Sequence, residues 1–149
     1  MSGGHRRGAW PGPAWLLVLA VGAAGCGSGT DPARLAVGDC FDVPGGSDEI
    51  GAISKRACTD PHKGEVFHVF EAGAPTGAYP GDADWELIVY PICDPEFESY
   101  TGTLVADRED IGYLYLVPTT DRWTAGDRRV TCFISSLDGS PLTETERAS

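Results

Sequence analysis

The sequence has little positive charge. Of its 149 residues, 11 are Lys or Arg and 22 are Asp or Glu, which gives a formal net charge of -11. Arg6 and Arg7 lie at the extreme N-terminus, so removal of that segment leaves nine basic residues against 22 acidic ones, a balance of -13. An acidic surface of this kind repels phosphate backbones, and we therefore expect no nucleic-acid partner.

Recognisable catalytic motifs are also lacking. No serine lies in a Gly-x-Ser-x-Gly elbow, and "GSGT" is followed by no lysine of a phosphate loop. The spacing of His62, Glu65 and His68 is not that of the His-Glu-x-x-His zinc motif. Paired carboxylates remain an open alternative, because 22 acidic residues bring some pair together by chance. The sequence predicts a protein that is not an enzyme and that holds no cofactor and no metal.

No apolar run is long enough for an ordinary membrane-spanning helix. The run "AWLLVLAVGAAG" has about a dozen residues, follows two arginines and ends in "AAGC" at Cys26. This pattern resembles a bacterial lipoprotein signal, although Ala23 stands where leucine is usual. We expect residues 1–25 to be a signal peptide and Cys26 to carry lipid on the outer face of the cytoplasmic membrane. Signal cleavage nearby and an uncleaved anchor are the alternatives.

The five cysteines support export. They are Cys26, Cys40, Cys58, Cys93 and Cys132. Lipidation of Cys26 leaves four cysteines, an even number that can pair completely. In an oxidising compartment four thiols become two disulfides, for which three pairings exist. Proximity along the chain favours Cys40–Cys58 and Cys93–Cys132.

The apolar patterns predict an α+β fold. Strands are expected at 34–43, 52–58, 65–72, 113–117 and 128–135. A helix is expected from an N-cap at Asp82 to a stop at Gly102, kinked or broken at Pro91. Its apolar stripe comprises Trp85, Ile88, Val89, Ile92, Cys93, Phe97 and Tyr100. We therefore expect a small mixed or antiparallel sheet with one kinked helix packed on it, stapled by two disulfides.

Two of the cysteines fit this arrangement, and the histidines do not suggest a metal. Cys93 lies on the apolar face of the helix and Cys132 on an apolar face of the last strand, so they can join helix to sheet. Strand alternation puts Glu65 and His68 on opposite faces. We interpret His68 as a half-buried strand residue and His62 as a turn residue bonded to backbone. The domain is expected at 35–142, between a flexible lipid-anchored tether at 26–34 and a frayed tail at 143–149.

Several motifs in order resemble the septum formation family of actinobacterial envelope proteins. They are "VGDCFD", "CTDPHKGEVFHVF", "CDPEFESYTG", "YLVPTTDRWTAGDRRVTC" and "DGS", and they span roughly residues 35–142. The resemblance implies a small extracytoplasmic domain with a role at the division septum and no enzymatic activity. We expect a binding or scaffold module whose partner is an envelope or divisome protein.

Three residues are candidates for contact with such a partner: Tyr79, Trp123 and Arg128, because aromatics and arginine dominate contact sites. The alternatives are that Trp123 belongs to the core and that Arg128 pairs with Asp127 or another acid. For the protein as a whole, the alternatives are a hydrolase of wall polymers with paired carboxylates and a purely structural lipoprotein domain.

Overall fold

The structure is a computed structural model that describes residues 29–42, 52–73 and 77–149. The predicted signal peptide and Cys26 lie outside the described residues, so those predictions are not tested by it. The regular elements are β1 (Cys40–Asp42), β2 (Ser54–Arg56), β3 (Gly64–Glu71), α1 (Asp82–Thr101), β4 (Ile111–Leu116), α2 (Thr120–Thr124) and β5 (Arg129–Ser136). Within the described part of the chain, no helix is both long and apolar enough to span a membrane.

One five-stranded antiparallel sheet organises the domain, with strand order β2-β1-β3-β5-β4. The long strands β3 and β5 lie at its centre because their apolar side chains point to both faces and must be covered on both. Helix α1 covers one face. A smaller cluster covers the other face and consists of Leu35, Phe41, Ile53, Val66 and Phe133. The predicted α+β class is confirmed, and the sheet is antiparallel.

Helix α1 runs through Pro91 without interruption, so the predicted alternative of a break into two helices is wrong. Pro91 and Pro95 both lie within the helix, and both are exposed. On the solvent side a proline ring does not disturb the buried stripe, so packing on the sheet keeps both halves in one helix. The N-cap is Gly81 rather than the expected Asp82, and the predicted stop at Gly102 is confirmed by its left-handed φ of 75°.

Both predicted disulfides are present. Cys40 joins Cys58 with a Cα–Cα distance of 5.2 Å, and Cys93 joins Cys132 with one of 6.5 Å. Cys93 and Cys132 are both fully buried, so this bridge ties α1 to β5 inside the core, as expected from their faces.

The chain is ordered before the predicted start of the domain. Thr30 pairs with Ile53 through two backbone hydrogen bonds of 2.8 and 3.0 Å. Asp31 accepts two hydrogen bonds from Arg122, at 3.0 and 2.6 Å. The expectation of a flexible tether over 26–34 is therefore wrong from Thr30 onward, because these residues extend the edge of the sheet.

The C-terminal residues are also ordered, although the sequence predicts a frayed tail. Thr145 donates its hydroxyl to Glu65 at 2.5 Å, and the Glu146 backbone N–H donates to the same carboxylate at 2.8 Å. The Ala148 N–H donates to the carbonyl of Tyr100 at 2.9 Å. A buried carboxylate needs donors, and this segment provides them. We call residues 145–148 the C-terminal strap.

Two surface carboxylates have a pKa below the ordinary value, and we expect them to contribute less stability in acid. Hydrogen bonds from Arg108 lower the pKa of Asp110 to about 2, and hydrogen bonds from Ser136 and Ser140 lower the pKa of Asp138 to about 2. Because both pKa values lie below the ordinary 3.8, the stability they contribute is present above about pH 4 and is lost as the pH falls towards 2.

We therefore expect the melting temperature to fall between pH 4 and pH 2. A variant with Asp110→Asn and Asp138→Asn should show a shallower fall, measured by circular dichroism at each pH. The variant Glu109→Gln is the control, because Glu109 forms no side-chain hydrogen bond within the described residues, and its profile should match that of the unaltered chain. An equally steep fall in the double variant would contradict the assignment.

Candidate functional site

A β-bulge in β3 changes which side chains face the helix. Glu65 pairs with Ile134 and His68 with Cys132, and the register shifts between Val66 and His68. Opposed residues of two strands share a face, and Ile134 and Cys132 both pack on the helix side. Glu65 and His68 therefore both face α1. The predicted alternation, which puts them on opposite faces, is wrong because the bulge inserts one residue.

A groove of about 390 Å³ lies where β3, α1 and the C-terminal strap meet. Its floor is aromatic, formed by Phe67 and Tyr100. We call this cavity the groove, and its lining residues are Val37, Phe67, His68, Glu96, Ser99, Tyr100, Arg147 and Ala148. Four separate segments, namely the chain before β1, β3, α1 and the C-terminal strap, thus contribute to one concave surface that is open to solvent.

Charged groups of both signs converge in the groove. His68 Nδ1 lies 3.4 Å from Glu96 Oε2, and the Arg147 guanidinium lies 4.7 Å from the centre of the Tyr100 ring. Arg147 and a protonated His68 can donate hydrogen bonds to an anion, and Glu96 can accept them from a hydroxyl or a cation. The Phe67 and Tyr100 rings, inclined at 53° to one another, offer an apolar surface, so the groove combines orienting polar groups with an apolar base.

The buried carboxylate of Glu65 supports the groove from below. The Tyr100 hydroxyl donates to Glu65 at 2.7 Å, in addition to the two donors of the C-terminal strap. Burial raises the pKa of Tyr100, and the neighbouring Glu65 raises it further, while Arg147 lowers it. Glu65 thereby fixes both the Tyr100 ring and the strap that carries Arg147. Three hydrogen bonds hold the Glu65 carboxylate beneath the surface. Glu96 is therefore the carboxylate that lines the groove.

The three predicted contact residues do come together, in a cluster at the start of α1. The Arg128 guanidinium lies 3.7 Å from the centre of the Trp123 ring, and the rings of Tyr79 and Trp123 are 6.0 Å apart. Trp123 is 2% exposed and donates its Nε1–H to the Gly77 carbonyl at 2.9 Å. Trp123 thus belongs to the core, whereas Tyr79 remains 37% exposed.

Arg128 does not form the ion pair with Asp127 that was considered as its alternative role. Its Nη1 donates to the carbonyls of Trp123 and Asp127, at 2.6 and 2.9 Å. The Asp127 carboxylate instead accepts from the Arg129 backbone N–H and lies 3.8 Å from Arg122. Arg128 and Trp123 are therefore used inside the fold, and the contact role of the three residues stays a prediction.

His68 is a partly buried strand residue, as expected. His62 is bonded to backbone, as expected, with Nδ1 2.8 Å from the Asp60 carbonyl oxygen. The prediction that His62 is a turn residue is wrong, because it is fully buried and forms an antiparallel bridge with Leu142.

The sequence patterns did not predict the groove. Glu96 is one of several polar residues on the polar side of the helix pattern, and Arg147 lies in a segment without apolar periodicity. No sequence signal therefore links these two residues.

Comparison with known proteins identifies the family. A family model described as septum formation matches residues 37–149. The match includes every strand, both α-helices and all the residues that line the groove. A search of curated proteins finds no match. A search of solved structures finds none either. On the family match, the chain belongs to the septum formation family.

Proposed function

We propose that the protein is a lipid-anchored binding or scaffold module on the outer face of the cytoplasmic membrane. Membership of the septum formation family associates it with cell division or the envelope. The observation that carries the proposal is the groove, in which Arg147, His68 and Glu96 converge on an aromatic floor. We propose that this groove holds a segment of an envelope or divisome protein.

The groove suits binding because its polar groups are fixed before a ligand arrives. Tyr100 is held by the buried carboxylate of Glu65, and Arg147 is held over the Tyr100 ring. Side chains that are already immobilised lose less conformational entropy when a partner docks. The Glu146 N–H and the Thr145 hydroxyl of the C-terminal strap donate to the same carboxylate, so the wall of the groove is supported as well.

The alternative of a wall-polymer hydrolase has less support. Hydrolysis of a glycosidic bond by paired carboxylates takes two such groups on either side of the bond. Within the described residues, Glu96 is the one carboxylate of the groove lining, and Glu65 is fully buried with three hydrogen bonds. His68 lies against Glu96 rather than against a hydroxyl or thiol. We therefore propose a role without catalysis.

The position of the domain follows from its first ordered contact. Thr30 is hydrogen-bonded to the sheet, so three residues separate it from the proposed lipid on Cys26. Even fully extended, the four steps from Cys26 to Thr30 span at most about 14 Å at ~3.5 Å each. With lipid on Cys26, the N-terminal edge of the domain at Thr30 stays near the bilayer, which favours a membrane-proximal partner.

Crosslinking in cells tests the proposal. We expect a photoreactive side chain in place of Ser99, in the groove lining, to capture an envelope or divisome protein. Ser54, exposed on the edge strand β2, is the matched position and should not capture it. Adding Arg147→Gln should weaken the Ser99 adduct severalfold. The same adducts from both positions would refute the groove as the binding site. Turnover of a purified wall polymer that is lost in Glu96→Gln would favour the hydrolase.

A further inference from the structure

One buried imidazole nitrogen has no hydrogen-bond partner within the described residues, namely Nε2 of His62. The side chain is fully buried, and its Nδ1 lies 2.8 Å from the Asp60 carbonyl oxygen. A carbonyl only accepts, so Nδ1 of the neutral ring carries the proton and Nε2 presents a bare lone pair. A buried lone pair of this kind is costly unless something binds to it.

Two further ligand groups lie beside this imidazole. A ring nitrogen of His62, Cys40 Sγ and a carboxylate oxygen of Glu65 all lie within 4.8 Å of one another, and Nε2 is the ring nitrogen that has no partner. Cys58 Sγ is bonded to Cys40 Sγ and so lies beside the same group. Opening that disulfide would provide two thiolates, one imidazole and one carboxylate, which are ligands that Zn²⁺ takes in four-coordinate tetrahedral sites.

The surroundings of these ligands resemble the outer shell of a zinc site. A metal-binding histidine usually donates its other ring N–H to a carbonyl or carboxylate, as His62 does to Asp60. Ligating carboxylates are themselves held by hydrogen bonds, and Glu65 accepts them from Tyr100, Thr145 and the Glu146 N–H. The His62 ring and the Glu65 carboxylate are thus both oriented before a metal binds.

We propose that Cys40, Cys58, His62 and Glu65 bind one Zn²⁺ when the Cys40–Cys58 disulfide is reduced. A dithiol reductant attacks through a thiolate, and its second thiolate releases the mixed disulfide. Two electrons and two protons pass to Cys40 and Cys58, and the dithiol becomes a cyclic disulfide. Zn²⁺ then displaces both thiol protons to the solvent. The oxidised chain binds no Zn²⁺ here, because the disulfide consumes both sulfurs.

The two disulfides differ in access, so reduction is selective. Cys58 is partly exposed, whereas Cys93 and Cys132 are each 0% exposed. Thiolate attack needs access to a sulfur, and of the four bridged residues Cys58 is the one that is not fully buried. Mild reduction therefore opens the zinc ligands while the bridge between α1 and β5 still holds the core together.

The test uses the full chain with Cys26→Ala, so that no thiol outside the two disulfides is present. A phosphine opens the disulfide without offering a thiolate ligand of its own, taking up oxygen from water as each sulfur gains a proton. Zn²⁺ is then titrated against a chromophoric chelator, and Co²⁺ is added to a parallel sample. We expect one Zn²⁺ per reduced chain, none per oxidised chain, and the strong visible absorption of tetrahedral Co²⁺.

The histidine variants decide whether the named site binds. His62→Gln should weaken Zn²⁺ binding at least ~100-fold, as the loss of a supporting hydrogen bond alone costs up to that much. His68→Gln, on the same side of the sheet, should leave the affinity unchanged. Circular dichroism of the reduced chain, with and without Zn²⁺, monitors folding. Absence of Zn²⁺ from a folded, reduced chain overturns the proposal, as does equal affinity in the two variants.

Discussion

Replacing Cys93 and Cys132 together with alanine is expected to lower the free energy of unfolding by about 4 kcal/mol. The bridge closes a loop with a sequence separation of 39, and the loop-entropy relation gives about 4 kcal/mol for that length. A small domain has only about 5–15 kcal/mol in total, so the variant should lose a large fraction of its stability. Alanine is the suitable replacement because both positions are fully buried and a serine hydroxyl would lack a partner.

The second bridge provides the matched comparison. Cys40→Ala with Cys58→Ala opens a loop of sequence separation 18, for which the same relation gives about 3 kcal/mol. We expect urea unfolding of the non-reduced chains to place the Cys93/Cys132 variant below the Cys40/Cys58 variant in midpoint. Removal of the buried Cys93 and Cys132 sulfur atoms also leaves a cavity in the core, which lowers the urea midpoint of that variant further. The reverse order would show that the core bridge is not the main stabilising link.

Replacing Cys26 with alanine is expected to move the protein from the membrane fraction to the soluble fraction. Buried hydrocarbon stabilises membrane binding by ~0.8 kcal/mol per CH₂ group, and a protein with an acidic balance of -13 gains no attraction to an anionic surface. Loss of the lipid should therefore abolish attachment rather than weaken it. Fractionation of cells followed by immunodetection measures the change.

Ser28→Ala is the matched control, because it alters the neighbouring sequence but keeps the cysteine. It should remain in the membrane fraction. A Cys26→Ala variant that stays membrane-bound would show that lipid is not the anchor. Mass spectrometry would then distinguish the remaining alternatives, because an uncleaved anchor retains residues 1–25 and ordinary cleavage removes them.

The parts of the fold that could be predicted depend on local patterns. The apolar stripe that includes Trp85 and Phe97 predicts α1, and its alternation with polar residues fixes the face that meets the sheet. The same face places Cys93 opposite Cys132, so the core bridge followed from periodicity and from the number of cysteines. The family resemblance was confirmed by the match over residues 37–149.

The parts that could not be predicted depend on contacts between distant residues. The bulge in β3 reverses the expected relation of Glu65 and His68, and nothing in "EVFHVFEA" marks the extra residue. The continuity of α1 at Pro91 depends on the proline facing solvent, which is known only once the sheet is placed. The ordered strap depends on a carboxylate 80 residues earlier in the chain.

Under the proposed export, the separation of 80 residues between Glu65 and Thr145 determines the order in which the domain folds. A chain that crosses the membrane from its N-terminus presents Glu65 to the outside long before Thr145, which follows it by 80 residues. During translocation the carboxylate lacks the donors of the strap, and water has to serve in their place. Strand β3 can pair with β5 only after β5 has emerged, so the centre of the sheet closes late. If the chain is exported N-terminus first, as proposed, the domain completes its folding only after β5 and the C-terminal strap have crossed.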